Sequence, residues 1–196
     1  AAISGLMLLA SAADEAGKAK SQVANMVLLI LVTGGAGLLA RTVPPMPGLL
    51  VAYGRYAATW VGQNEIIYTG EGMTASVAVS RTPNGVLNYH NAGKVQASSE
   101  PQDMRLQRML GHMTTLIPVN PKSVLVIGCG AGVTAGAVSI DPMVEHETIA
   151  EIEPFVPEFV AEHFGNENFN VVKNPKVHVE IDDARHFVLT TKEKFD

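Results

Sequence analysis

Residues 123–132 read SVLVIGCGAG, a short β-favouring run that opens into a turn with glycine at 128, 130 and 132. An uninterrupted apolar strand of this kind suits a parallel sheet buried on both faces. Glycines in the turn let the backbone approach a ligand closely. The small-residue helix expected over 133–140 then starts with free N–H groups facing the crevice. The pattern continues with a strand over 147–151, a helix over 154–164 and a strand over 177–181 (VHVEI). Strand, helix, strand, helix, strand is a parallel α/β unit with right-handed crossovers. The spacing predicts a Rossmann-like nucleotide-binding half running from about Lys122 to Val188.

A glycine turn alone says only phosphate or nucleotide. Glu151-Ile152-Glu153 begins nineteen residues beyond Gly132, at the end of the second strand. A carboxylate there can accept hydrogen bonds from both ribose hydroxyls. Glu151 takes that role because it follows the apolar strand directly, and Glu153, just before Pro154, is read as an acid starting the next helix. Asp182 and Asp183 fall at the end of the third strand, where an acid suits the adenine exocyclic amine. Any one of these acids alone reads as an exposed loop carboxylate or a helix cap. A glycine turn with acids at two successive strand ends reads as an adenosyl site.

Upstream, the chain divides at about residues 61 and 100. The segment 1–61 is apolar, and residues 23–40 form an uncharged run of eighteen between Lys18/Lys20 and Arg41. That length makes it a marginal transmembrane helix, in which Gly34, Gly35 and Gly37 are tolerated. A buried core helix is the competing reading, and a signal peptide fits poorly because the run begins too late. Residues 1–13 read as the tail of an earlier span. Pro44, Pro45 and Pro47 end the helix, and 46–61 is read as juxtamembrane, with Tyr53, Arg55, Tyr56 and Trp60 suited to an interface. The segment 62–100 has strand periodicity broken by turns at Pro83-Asn84-Gly85 and Asn91-Ala92-Gly93, a small antiparallel meander. Alone it is marginal, so it packs on the next domain or on a second subunit. The third segment, 101–196, starts with a helix over 102–116 whose Met104, Leu106, Met109, Leu110 and Met113 are assigned to the core.

The chain of 196 residues carries a net charge of −5. No run of Lys or Arg supplies the basic face nucleic acid needs, so no such partner is expected. The single cysteine, Cys129, excludes an internal disulfide and a multi-cysteine zinc cluster. It is read as turn or core filler rather than a nucleophile. The six histidines lack ligand-type spacing, so no metal is expected. With Ala1 in place of Met and no closing element after Phe195-Asp196, the chain is read as a fragment at both ends.

Five stretches, GEGMTASVAVSR (70–81), GKVQASS (93–99), MLGHMTTLIPVNPKSVLVIGCGAGVTAGAV (109–138), EIEP (151–154) and DDARHFV (182–188), together make the sequence similar to the polyamine aminopropyltransferases, the spermidine synthase family. More closely it resembles the bacterial branch in which that domain follows a multi-span membrane region. The resemblance implies a Rossmann-like S-adenosylmethionine-dependent transferase fold, truncated here, after the meander and the apolar transmembrane helix. It implies decarboxylated S-adenosylmethionine, or S-adenosylmethionine, as co-substrate, and aminopropyl transfer to a small amine such as putrescine in polyamine biosynthesis. A homodimer is implied, membrane-held with its transferase domain in the cytoplasm. Residue by residue, Gln96 matches the glutamine facing the cofactor's tail and His112 a position lining the substrate side. Gly128, Gly130 and Gly132 match the glycine loop, Glu151 the ribose carboxylate, and Asp183, with Asp182 beside it, the adenine-side acid.

The departures are specific. The family loop carries an Asp facing the cofactor's amino end where this chain has Ala131. Its Tyr and Glu near the diamine align with Leu106 and Arg108, and a cationic diamine needs carboxylates to offset desolvation. The family's catalytic aspartate lies just past Phe195-Asp196. Two alternatives stay open: a methyltransferase on the same scaffold, in which Arg108 pairs with the carboxylate of the undecarboxylated cofactor, and a non-catalytic nucleoside-sensing module of a membrane protein.

Overall fold

The computed structural model describes residues 19–196, and the stretch 1–13 read as the tail of an earlier span lies outside the described residues. The chain falls into two compact units divided after Pro45. The first contributes one described helix, α1 (Ala19–Arg41), of 23 residues. Its large apolar side chains, among them Val23, Ile30, Leu31 and Leu38, are exposed. A helix that is apolar all round belongs in a protein core or in lipid. At about 1.5 Å per residue it spans about 34 Å, against roughly 30 Å for a bilayer's hydrocarbon core. It is long and apolar enough to cross a membrane.

The second unit opens with α2 (Gly48–Tyr53) and a 3₁₀ segment, Gly54–Trp60. Tyr53, read from sequence as an interface residue, is turned inward instead. It is buried, stacks on Trp60 at 4.8 Å and meets the edge of His90 at 4.7 Å. Its hydroxyl and His90 Nε2 both meet Ser80 Oγ, at 3.3 and 2.8 Å. This segment is therefore built into the sheet that follows. That sheet is the expected meander: β1 (Glu65–Glu71), β2 (Ser76–Arg81), β3 (Leu87–Asn91) and β4 (Lys94–Ser98), antiparallel in sequence order. Ala92 and Gly93, both at positive φ (51° and 77°), make the two-residue β3–β4 connection, the conformation that matches strand twist. Alternation along β3 sends His90 toward α2 and Tyr89 and Asn91 to the opposite side.

A parallel sheet follows in the order β5 (Ser123–Ile127), β6 (His146–Glu151), β7 (Val177–Ile181). The strands are joined by α4 (Val133–Ser139) and α5 (Phe155–His163), and α6 (Ala184–Thr190), absent from the sequence reading, comes after β7. Two right-handed crossovers in the same direction place α4 and α5 on one face. β5 is consequently only half-buried, with Ile127 exposed, rather than covered on both sides as its apolar run predicted. The meander is fastened to this half through α5, whose Phe159 stacks on Tyr68 at 4.8 Å and faces Tyr89 at 5.8 Å. One apolar cluster, including Val77, Val79, Tyr89, Ile149, Phe159 and Phe164, spans both halves.

The helix α3 (Pro101–Leu116) corrects the core assignment. Leu106, Met109, Leu110 and Met113 are exposed, and only Met104 joins the core. The buried line is Gly111 and Thr115, because α3 meets α4 backbone against backbone. A Cβ on Gly111 would collide with the Thr134 carbonyl oxygen and lie 2.8 Å from the Ala137 Cβ. Gly111→Leu is expected to lower the stability of the second unit by about 1–3 kcal/mol or more through overpacking. Leu110→Gln on the exposed side is expected to stay within about 0.5 kcal/mol. Denaturant midpoints of the chain check both; equal effects would overturn the assignment of the buried face.

Glu147, on the central strand, is 1% exposed and neither carboxylate oxygen has a partner. Burial pushes its carboxyl up to about 8, with Lys176 opposing in part. Between the ordinary carboxylate range and about 8 the folded chain holds a proton that the unfolded chain releases, so stability falls as pH rises through that window. The slope approaches about 1.4 kcal/mol per pH unit. Glu147→Gln is expected to remove this component, so that the difference in stability between variant and parent grows in the variant's favour from pH 5 to pH 8. A pH-independent difference would sink the assignment.

Candidate functional site

A cleft of about 310 Å³ opens where the carboxyl ends of β5 and β6 face the meander. Gly128, Gly130, Glu151 and Glu153 line it from the parallel half, and Tyr89, Asn91 and Gln96 from β3 and β4. Gly128, Gly130 and Gly132 have φ of 82°, 52° and 75°, a region where L side chains are strained. Open space lies where a Cβ on Gly128 or Gly130 would point, so the turn presents bare backbone to the cleft. Gly132 serves a different purpose, since its missing side chain admits the Asn168 amide, 2.8 Å from a Cβ placed there. That amide donates to the Ala131 carbonyl at 3.2 Å, bracing the turn from behind.

Glu151 is buried at the tip of β6. One oxygen accepts the Cys129 N–H at 2.7 Å, and the other accepts the Glu153 N–H at 3.0 Å. Charge-assisted bonds of this kind stabilise an ionised carboxylate away from bulk water. Each oxygen keeps a lone pair for a further donor. Glu153 departs from its reading as a helix-starting acid. Its carboxylate turns away from α5 and accepts from the backbone N–H and hydroxyl of Thr74 and from the Ala75 N–H. These donors, Thr74's side chain foremost, hold it below the usual carboxylate range. Beside them, the Tyr89 hydroxyl is pushed up to about 12, by burial first and then by Glu151. The Cys129 thiol is likewise pushed up to about 12 by burial, with Glu151 adding to it. It stays protonated, as its reading as turn filler required.

The other expected residues fall elsewhere. Asp182 stands at the end of β7, its N–H donating to the Glu151 carbonyl at 3.0 Å, with its carboxylate meeting His186 Nδ1 at 2.6 Å. Asp183 caps α6 through the Arg185 N–H at 2.9 Å and pairs with the Arg185 guanidinium at 2.7 Å. Arg185 holds its carboxyl down at about 2. Both acids thus sit at the expected strand end, outside the cleft's lining. Ala131 is buried in the apolar cluster and offers the cleft no polar group. Arg108 lies over the Phe169 ring at 4.9 Å and reaches the Glu167 carbonyl at 3.4 Å. It shares a separate groove along α3 with Arg105 and His112, so His112 is not gathered with the glycine turn. Among the described residues no three His, Cys, Asp or Glu side chains gather as a metal site. Tyr89, Asn91 and Asn168 were missed. The first two carry a signal in their alternate spacing on one strand; Asn168, in a loop, carries none.

Residues 103–196 match the spermine/spermidine synthase domain. The polyamine aminopropyltransferase of Serratia proteamaculans is 36% identical over 104 residues, covering 53% of this chain and 36% of that protein. That of Pseudomonas syringae pv. tomato is 34% identical over 99 residues, 50% of this chain and 35% of that protein. The chain thus spans about a third of the length of these curated relatives. The spermidine synthase of Thermotoga maritima has the same fold over 67% of this chain and 45% of its own, with a TM-score of 0.61 and 23% identity. A spermidine synthase solved with the transition-state analogue AdoDATO has the same TM-score and identity, over 67% of this chain and 44% of its own. The parallel sheet, the glycine turn and the strand-end carboxylate all fall within residues 103–196, the part of the chain that matches the spermine/spermidine synthase domain.

Proposed function

We propose that the cleft holds decarboxylated S-adenosylmethionine and that the protein transfers its aminopropyl group to a small amine. The carrying observation is the charge of the lining: two buried carboxylates, Glu151 and Glu153, and no Lys, Arg or His. S-adenosylmethionine brings a sulfonium, an ammonium and a carboxylate; the decarboxylated form keeps both cations and loses the anion. An acidic cleft favours the second, because a tail carboxylate brought beside two others is repelled and desolvated. In this reading Glu151 receives the ribose hydroxyls on its free lone pairs. The bare backbone of Gly128 and Gly130 meets the sulfur end, and Gln96 faces the tail. Asp182 and Asp183 approach the adenine from β7, which requires the carboxylates to turn from His186 and Arg185. Gly132 keeps the turn in shape.

The methyltransferase alternative drew on Arg108 as a carboxylate partner. Arg108 lies against Phe169 in a separate groove, so nothing in the cleft's lining favours that alternative. We further assign α1 to the membrane, from its length and its exposed apolar surface.

Calorimetry on the detergent-solubilised chain, with the two cofactor forms and with and without putrescine, tests the assignment. The decarboxylated form is expected to bind more tightly; preference for the carboxylated form would overturn it. Glu151→Ala is expected to weaken any adenosyl ligand by about 1–3 kcal/mol, the scale of a lost charge-assisted hydrogen-bonding group. Unchanged affinity would mean the ribose sits elsewhere.

A further inference from the structure

The polar contacts of the β1–β2 turn, Gly72 to Ala75, with the parallel half run through the Glu153 side chain. That side chain is 2% exposed and sits two residues beyond the proposed ribose carboxylate. Its oxygen Oε1 accepts from Thr74 N–H, Thr74 Oγ1 and, at 3.0 Å, Ala75 N–H. A Cβ on Gly72 would collide with the same carboxylate, so the turn wraps it without room for a side chain. The Glu153 N–H in turn donates to Glu151 Oε1 at 3.0 Å, and Glu151 Oε2 holds the Cys129 N–H at 2.7 Å. Glycine turn, strand end and hairpin turn are thereby joined in one chain of hydrogen bonds through two carboxylates. Hydrogen-bonded chains in a low-dielectric setting reinforce one another, and a missing member leaves buried donors unpaired.

The consequence is directional. Ala75 lines the cleft beside Tyr89, Asn91 and Gln96, on the meander wall, where Gln96 faces the tail in the proposed pose. We propose that Glu153 is a positioning residue that holds the β1–β2 turn as the wall of the cleft on the tail side, so that it governs affinity for the tail of an adenosyl ligand and not for its adenosine end. This rests on the adenosyl reading of the cleft. It also accounts for an acid that the sequence pattern places at the start of α5 and that the fold turns away from that helix.

The test compares adenosine with S-adenosylmethionine and its decarboxylated form, by calorimetry on the whole solubilised chain and on its Glu153→Gln and Thr74→Val variants. Hydrogen exchange at the Thr74 and Ala75 amides is followed in parallel. Glu153→Gln removes the charge at nearly constant shape. It is expected to weaken the tail-bearing ligands about tenfold or more, the scale of a lost bond to a charged group. Adenosine affinity stays within about twofold, and both turn amides exchange faster. Thr74→Val removes only the hydroxyl donor, and is expected to shift affinity in the same direction by a few-fold, which keeps the test available where Glu153→Gln fails to fold. Equal losses for adenosine and the tail-bearing ligands would reduce Glu153 to a general structural role and overturn the proposal. Unchanged affinities in both variants would overturn it too, leaving the adenosyl reading standing. A parent chain that binds none of the three compounds would instead overturn the adenosyl reading, and this role with it.

Discussion

The stack of Phe159 between Tyr68 and Tyr89 is the contact on which the site depends. A four-stranded meander of five- to seven-residue strands has too little buried surface to stand alone. α5, in turn, needs a cover for the large apolar face it turns away from its own sheet. Joining them hides both surfaces in one cluster, and offset aromatic pairs add about 0.5–1.5 kcal/mol each beyond the area they bury. The cleft is the gap left over by that union. Its two walls come from residues more than thirty positions apart in the chain, so neither wall exists as a binding surface without the other.

A cleft formed this way brings carboxylates into a poorly solvated place, and an unpaired one there is costly. The structure contains both outcomes. Glu151 accepts backbone N–H groups from the glycine turn and from Glu153, and the Thr74 hydroxyl, with the Thr74 and Ala75 N–H groups, holds Glu153 below the usual carboxylate range. Glu147, on the same strand, is as deeply buried but has no donor, and burial raises its carboxyl instead. The supply of hydrogen-bond donors separates the two cases. Glycine turns provide such donors, because they expose N–H groups at close quarters.

Much of this architecture was legible because it rests on local rules. Strand 123–127, the turn glycines and the acids at 151 and 182–183 lie at fixed places in a parallel α/β unit, and β5, β6, β7, α4 and α5 fall within one or two residues of their expected bounds. The failures share a cause. Periodicity finds apolar residues but not the face the fold buries. α3 turns Gly111 and Thr115 inward and leaves Met109 and Leu110 out, because close helix crossing selects small residues over large ones. Glu153 was misread in the same way. Its position before Pro154 points to a local role at a helix start, whereas its partners lie 78 and 79 positions earlier. Arg108, an anion partner by residue type, lies over the Phe169 ring instead. Partners distant in sequence leave no trace in spacing.

The hydrogen bonding of the cleft also constrains the chemistry of the proposed transfer. As the acceptor's amine nitrogen attacks the methylene next to the sulfonium, the C–S bond breaks toward sulfur and the nitrogen must lose a proton. A general base serves best with its pKa near the working pH and a free lone pair aimed at that proton. Neither cleft carboxylate qualifies. Glu153 has its acceptor oxygen crowded by three donors that hold it below the usual carboxylate range. Glu151 is tied on both oxygens and, in the proposed pose, faces ribose rather than sulfur. The Tyr89 hydroxyl, pushed up to about 12, remains protonated and is a donor. On the proposed reading the described lining binds and orients a cationic adenosyl ligand, and proton removal falls to a group outside that lining.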